Sequence, residues 1–381
     1  MDNLTHSLVG LTSAKAGLER LSPWATTVCV ISANAADADF VTLFFGDRWT
    51  LLQHHRGITH SIVGTIAIGV LIPLLAYLIE LTVARIRKRP RRIRFGGLLL
   101  ASLITSATHP LLDWTNNYGV RPLLPWSGRW FYGDLVYIVD PYIWLVLGVI
   151  AFFLTSNTRG KIVRWSVIGF GAMVVIGFAA RLQGPDSNSL RVALVIWIVV
   201  LAAVSASRAY GLHRWFGRQT ALAGLAALVL YCGILGLVHR AALTNASSFA
   251  SHVADERGER LQRAAAMPTA ASLFRWQAVA ETDVAMYRFM IGFGSVDSSD
   301  SGVGLTRFPK PKGRETALVN NSEPDRRTQT LLGFARFAIA RVDADNCAGQ
   351  TLVHWADLRY TEPGRGRGNF SVDVPVDCAS R

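Results

Sequence analysis

Charge is scarce in this chain. Only 17% of its 381 residues are Asp, Glu, Lys or Arg, while 51% are hydrophobic and the mean hydropathy is +0.29. An average soluble domain carries about 25% charged residues, so the balance excludes an ordinary soluble enzyme. Acidic residues are the scarcer kind, 26 against 39 Lys and Arg, for a net charge of +13. A basic excess marks a nucleic-acid partner when it gathers into a patch. Here Arg85, Arg87, Lys88, Arg89, Arg91, Arg92 and Arg94 stand between two long apolar runs, where positive loops report the cytoplasmic side of a membrane. No nucleic-acid partner is expected. The four cysteines, Cys29, Cys232, Cys347 and Cys378, form no CxxC pair, which argues against cysteine metal chemistry. No GxSxG supports a serine hydrolase. The layout of a cleaved signal peptide is also missing, since Asp2 precedes any basic residue and His6, Lys15, Glu19 and Arg20 interrupt the first apolar stretch. Membrane insertion is therefore expected from internal spans.

A span needs about 20 mainly apolar residues. Five windows qualify, Ile62 to Ala84, Val136 to Leu154, Trp165 to Ala180, Val192 to Ala206 and Ala221 to Val238, and a sixth, Phe95 to Trp114, ends in His109 and Asp113. Leu4 to Leu18 and Trp24 to Phe45 contain His6, Asp37 and Asp39; they are too polar to face lipid all round and are read as helices inside the bundle or at its edge. Arg85 to Arg94, then Arg159, Lys161 and Arg164, then Arg208, Arg214 and Arg218 mark alternate loops as cytoplasmic. Thr115 to Leu135 and Leu182 to Asn188 then lie outside, as does everything from about Asn245. That tail is polar, with turn clusters at Ser295 to Gly304 and Pro309 to Gly313 and alternating segments at Phe274 to Ala278, Ala285 to Ile291 and Leu352 to Tyr360, a pattern of strands. The expected fold is mainly α, a polytopic transmembrane helix bundle over residues 1–240 with an extracytoplasmic β-rich domain over 245–381. In an oxidising compartment Cys347 and Cys378 are candidates for a disulfide, with two buried free thiols as the alternative.

Histidine and carboxylate at a membrane span are costly, and each is a functional hypothesis. His54, His55 and His60 precede the span beginning at Ile62, and the returning span ends at His109 and Asp113, so the two sets reach the same outer face. His109 and Asp113 are spaced i, i+4 and share one helix face; Pro110 between them suggests a helix restart there. Asp37 and Asp39 diverge on a regular helix and need a break to serve one site. Carboxylates are hard ligands able to bridge divalent ions, and imidazoles suit zinc and its neighbours. Arg56 can offer a planar fork to phosphate or carboxylate.

Together, Thr5-His6-Ser7, Ala36-Asp37-Ala38-Asp39, His55-Arg56-Gly57 with Thr59-His60-Ser61, and Thr108-His109-Pro110 with Asp113 resemble the ordered motif set of the YdjM-like family of bacterial inner-membrane, predicted metal-dependent hydrolases. The likeness covers about the first 140 to 180 residues. Ala36 stands where the family usually has proline, which bears on the turn more than on the ligands. The resemblance implies a multi-pass protein of the bacterial inner membrane.

Residues and resemblance lead to one expectation: one or more divalent ions, zinc first, held at the outer face by His6, Asp37, Asp39, His55, His60, His109 and Asp113. Arg56 and Asp37 are expected to take part in catalysis, and His54 should point elsewhere. The partners expected are the lipid bilayer and a lipid or envelope substrate, with a phosphoester or ester bond cleaved. The competing class is a non-enzymatic scaffold or stress protein with a structural metal or polar site; a transporter is a third.

Overall fold

The computed structural model describes residues 1–183, 188–211, 216–292, 304–343, 349–365, 368 and 370–378. They form two compact units. One comprises Met1–Ala38, Arg56–Gly236 and Pro268–Leu273; the other comprises Asp39–His55, Leu237–Met267 and Phe274–Arg381.

The first unit is helical: α1 (Asn3–Lys15), α2 (Ala25–Asn34), then, after the segment assigned to the second unit, α4 (Ile62–Ile86), α5 (Phe95–Trp114), α6 (Pro141–Thr155), α7 (Arg159–Leu182), α8 (Asn188–Ala209) and the start of α9 (Arg218–Glu256). Among the described residues six helical segments are long and apolar enough to cross a membrane: Ala25–Phe44, Ile62–Ile86, Phe95–Trp114, Arg159–Leu182, Asn188–Ala209 and Arg218–Glu256. Two of these outcomes differ from the hydropathy reading. The expected span from Val136 begins only at Pro141, because Asp140 caps the helix, its carboxylate accepting from the amides of Tyr142 and Ile143 at 2.8 and 3.0 Å. The remaining 15 residues rise only about 22 Å against a hydrocarbon core of about 30 Å. Conversely, Ala25–Phe44 is long and apolar enough despite its two carboxylates, since Asp37 and Asp39 are both under 10% exposed while Ile31, Val41 and Phe44 face outward. Pro110 lies inside a continuous α5, so the expected restart does not occur.

Three basic loops meet at one end of this unit. The Arg94 amide donates to Ser22 Oγ at 2.8 Å and its guanidinium to the Arg20 carbonyl; Arg218 donates to the Ala16 carbonyl at 2.9 Å, and Arg208 to the Ser156 carbonyl at 2.7 Å. The polar ends of α1 and α5, at His6 and at His109 and Asp113, lie at the other end, about 15 residues or 22 Å along α5 from Arg94. Close packing fixes these helices: a Cβ on Gly10 of α1 would lie 2.8 Å from the Cys29 carbonyl and 2.9 Å from Ala33 Cβ, both on α2.

In the second unit, the last part of α9 lays Ala242, Ala246, Ala250 and Val253 against Trp276, Tyr287 and Phe289 of a sheet ordered β1 (Leu261–Pro268), β2 (Trp276–Thr282), β3 (Ala285–Ile291), β4 (Thr306–Pro309). The helix runs unbroken through residues 240–245, where the sequence reading placed the domain boundary; Gly258, at φ +65°, lies just past its end. A second sheet holds β5 (Ala338–Val342), β6 (Gln350–Asp357) and β7 (Ser371–Asp377), paired antiparallel. Two helices, α10 (Arg314–Ser322) and α11 (Arg326–Phe334), were not foreseen among the strands. The short helix α3 (Arg48–His54) belongs to this unit, where Arg326 donates to Thr50 Oγ1 at 3.1 Å. Cys378 is disulfide-bonded and Cys29 and Cys232 are free; Cys347, like residues 295–303 of the expected turn cluster, lies outside the described residues.

Candidate metal centre

Four local structures deliver the polar groups. Asp2 caps α1, accepting from the Thr5 amide at 3.0 Å, and the helix buries His6 completely. After α2 the chain tightens into a 3-10 stretch, Ala35–Phe44, the break that the Asp37-x-Asp39 spacing needed. A 3-10 turn, Ile58–His60, aims His60 inward before Ser61 caps α4 by accepting from the Gly64 amide at 3.1 Å. Gly64 has to be glycine there, since a Cβ would fall 1.8 Å from the Ile58 carbonyl oxygen. On α5, His109 and Asp113 are both at most 1% exposed.

The groups converge. His60 Nε2 lies 3.1 Å from His109 Nε2, 3.2 Å from Asp113 Oδ2 and 3.5 Å from Asp37 Oδ1. His109 Nε2 lies 3.4 Å from Asp37 Oδ1 and 3.6 Å from Asp113 Oδ2. Four tetrahedral donors at 2.0 to 2.1 Å from a zinc ion would be about 3.3 Å apart. The five separations scatter around that value. The remaining pair, Asp37 and Asp113, is within 4.8 Å.

The surroundings suit ligation. His109 Nδ1 donates to the Ala33 carbonyl at 2.7 Å, which in the neutral ring leaves the Nε2 lone pair facing the group, the outer bond that metal-bound imidazoles commonly make. His6 stacks on His109 with centroids 3.7 Å apart and sets its Nε2 3.5 Å from Asp113 Oδ1. Among the described residues, neither ring nitrogen of His6 has a hydrogen-bond partner, and neither does Asp113 Oδ2. Such buried atoms left unpaired cost about 1–3 kcal/mol each, a penalty that a bound cation would remove.

Arg56 holds the other side of Asp113. Its Nη2 lies 3.1 Å from Oδ1, and Nη1 donates to Asn116 Oδ1 at 2.9 Å and to the Gly119 carbonyl at 3.2 Å. The guanidinium also sits over the Tyr118 ring at 4.6 Å. Arg56 is 1% exposed, with φ +53°, a backbone conformation that costs a non-glycine residue about 1 kcal/mol or more and persists when its surroundings fix it. The sequence reading gave Arg56 a direct role on substrate oxygen; the structure instead commits its fork to Asp113 and the loop after α5. The amino group of Met1 is also ion-paired with Asp113 Oδ1.

Five of the seven proposed ligands, His6, Asp37, His60, His109 and Asp113, are thus gathered in the first unit. Asp39 and His55 belong to the second, where Asp39 Oδ1 lies 3.0 Å from His55 Nδ1. His54 is exposed, as its role as a control required. Asn116, Tyr118 and the Ala33 carbonyl escaped the sequence reading, because nothing local distinguishes them from ordinary loop and helix positions.

Comparison with known proteins covers the same part of the chain. Residues 1–184 match the YdjM inner membrane protein family. This stretch carries every residue of the centre. The chain is also similar to the uncharacterized protein YfhP of Bacillus subtilis (strain 168), 26% identical over 170 residues, which are 42% of this chain and 48% of that protein. The chain therefore spans about half the length of the relative it matches. No solved structure matches.

Proposed function

We propose that this YdjM-family membrane protein is a metal-dependent hydrolase whose centre lies at the extracytoplasmic face and acts on a phosphoester or ester of a lipid or envelope substrate. The observation that carries the reading is the convergence of Asp37, His60, His109 and Asp113 at metal-ligand spacing, with the unpartnered His6 beside them. Zinc suits a mixed imidazole and carboxylate set. A bound divalent ion would supply Lewis acidity and bring the pKa of water toward about 7. With such an ion in place, positive charge from the ion and Arg56 exceeds the two carboxylates, so the filled centre favours an anionic phosphoryl oxygen. In hydrolysis the water oxygen bonds to phosphorus, the ester oxygen leaves, and the water proton passes to the leaving oxygen. His6 is placed to hold that proton in transit. Arg56 holds Asp113 in position. Asp37, at 9% exposure the least buried of the four donors, is the one nearest to solvent and the natural point of substrate entry.

The outer-face placement rests on the meeting of three basic loops at the opposite end, which the positive-inside rule assigns to the cytoplasm. The disulfide at Cys378 suits an oxidising compartment for the C-terminal unit. A reporter active only outside the cytoplasm should work when fused to the C-terminus, and a working cytoplasm-only reporter there would overturn the orientation.

A second reading has an observation of its own: four buried protein donors can fill a tetrahedron, as closed structural zinc sites do. Metal analysis of the purified protein, with hydrolysis of phospholipids and chromogenic phosphoesters before and after chelation, separates the two. Turnover lost to chelator and restored by zinc supports the hydrolase. Bound metal with no turnover, and a lowered unfolding temperature on chelation, supports the scaffold.

A further inference from the structure

The segments that carry His60, His109 and Asp113 also present large apolar side chains to the outside. On α5, Leu111 is 63% exposed between the buried His109 and Asp113, so one helix, about 10 Å across, has the ligands on one face and an open apolar surface on another. Trp114, at the end of the same helix, is exposed. Ile58 and Ile62, each two residues from His60, are half exposed. The basic end of the bundle has the opposite character, with Arg87, Lys88 and Arg91 outward.

Apolar area of this kind is costly in water, at about 25 cal/mol for each Å², and contiguous exposure marks a contact surface. The hydrocarbon of the bilayer is the occupant, because these residues continue the lipid-facing sides of spanning helices. The ligands also sit at the ends of those helices: His60 two residues before α4 begins, Asp113 one residue before α5 ends. Helix ends marked by Trp lie at the level of lipid headgroups. The centre is therefore at the height where a phospholipid keeps its phosphate, and the surface beside it is suited to that lipid's chains.

We propose, resting on the hydrolase reading, that the substrate is a membrane phospholipid presented from the surrounding leaflet, with its headgroup phosphoester entering the centre while its chains remain against Ile58, Ile62 and Leu111. Hydrolysis then forms the bond from water oxygen to phosphorus, breaks the phosphorus bond to one ester oxygen, and releases that oxygen as an alcohol carrying the proton.

The test uses the full chain, zinc-loaded and reconstituted into vesicles of phosphatidylglycerol and phosphatidylethanolamine. Bis(p-nitrophenyl) phosphate serves as the water-soluble ester, and a fluorophore on Ile62→Cys or Leu111→Cys reports depth. The fluorophore should be quenched by brominated lipid and not by aqueous iodide. Release of phosphorylated or free headgroup should fall at least about tenfold in the Ile62→Ser, Leu111→Ser double variant, the loss expected from one apolar side chain's burial, while the soluble ester is turned over as before. Quenching by iodide, or turnover of the soluble ester with the vesicle lipid untouched, overturns the proposal and leaves the hydrolase reading standing. If neither substrate is consumed, the hydrolase reading itself falls and takes this proposal with it, whatever the quenching shows.

Discussion

His60 and His109 point the same nitrogen, Nε2, toward a shared space with Asp37 and Asp113, whereas His354 in the C-terminal unit uses its two nitrogens on two different partners, Nδ1 at 2.7 Å from Asp373 and Nε2 at 2.9 Å from Asp343. Both arrangements are histidine with aspartate, and their chemistry differs. At His354 Nδ1 is hydrogen-bonded to Asp373 and Nε2 faces Asp343 at ion-pair distance, an arrangement that favours the protonated imidazolium between two half-exposed carboxylates. In the bundle the donors of the centre are buried, and the facing atoms are acceptors with too few protons among them. A pair of His Nε2 atoms 3.1 Å apart can share one proton at most. Residue type therefore does not distinguish an ion triad from a candidate metal centre; the direction of the lone pairs does.

The comparison is most severely tested by removing a ligand. His60→Ala or Asp113→Asn should reduce the zinc content of the purified protein to background, while His354→Ala leaves it unchanged. Metal retained at full occupancy in both bundle variants would make the two His–Asp groups equivalent and end the metal reading. Asp113→Asn is preferred to alanine, because its amide oxygen can still accept from the Arg56 guanidinium, whereas a truncated side chain would leave that buried donor with neither charge nor acceptor opposite it.

A step smaller, Arg56→Lys keeps the charge and loses the planar fork that reaches Asp113, Asn116 and Gly119 together. The expected outcome is about 1–3 kcal/mol of lost stability and zinc affinity weakened about 10- to 100-fold, with zinc still bound at high concentration. Gly10→Val acts from farther away. Its side chain would drive α1 from the Cys29 carbonyl and Ala33, costing about 1–3 kcal/mol by overpacking and shifting the carbonyl that orients His109. A lowered melting temperature with zinc affinity unchanged would show that the Ala33 bond has no part in ligation.

The bundle centre was largely legible because its chemistry is written in spacing and in cost. A histidine and an aspartate four residues apart on a span, and a second histidine just before the preceding span, are expensive in lipid, and that expense pointed to a common site. What was not legible depended on backbone direction. The role of Arg56 depended on a left-handed backbone and a loop closing around Asn116 and Tyr118, neither visible in a motif. At Asp140-Pro141 the helix-start signal was present in the sequence, an acidic cap followed by proline at the first helical position, but the hydropathy of the window outweighed it. α10 and α11 were lost among polar residues because their buried positions, such as Leu318, Val319 and Leu331, are few and short in period.

The smallest effect concerns the other half of the comparison. Burial opposes the charge on His354, but its hydrogen bonds to Asp343 and Asp373 prevail and raise its pKa above the ordinary histidine value; the bond to His354, working against a smaller burial cost, holds Asp343 below the usual carboxylate range. The histidine's contribution to stability is therefore complete below its unfolded pKa of about 6.5 and is lost as pH rises through the raised folded value. The contribution of Asp343 is present above its unfolded pKa of about 3.9 and lost as pH falls. The triad stabilises the C-terminal unit in the window between, and because Asp343 and Asp373 are half exposed, by no more than about 1 kcal/mol. Wild type should melt a few degrees above His354→Gln near pH 5.5, with the gap closing toward pH 9. High salt should narrow it further, since exposed ion pairs are screened. A gap that widens with pH would mean that His354 is neutral in the folded protein and that its two nitrogens are not both donors, which would remove the contrast with the bundle centre at its source.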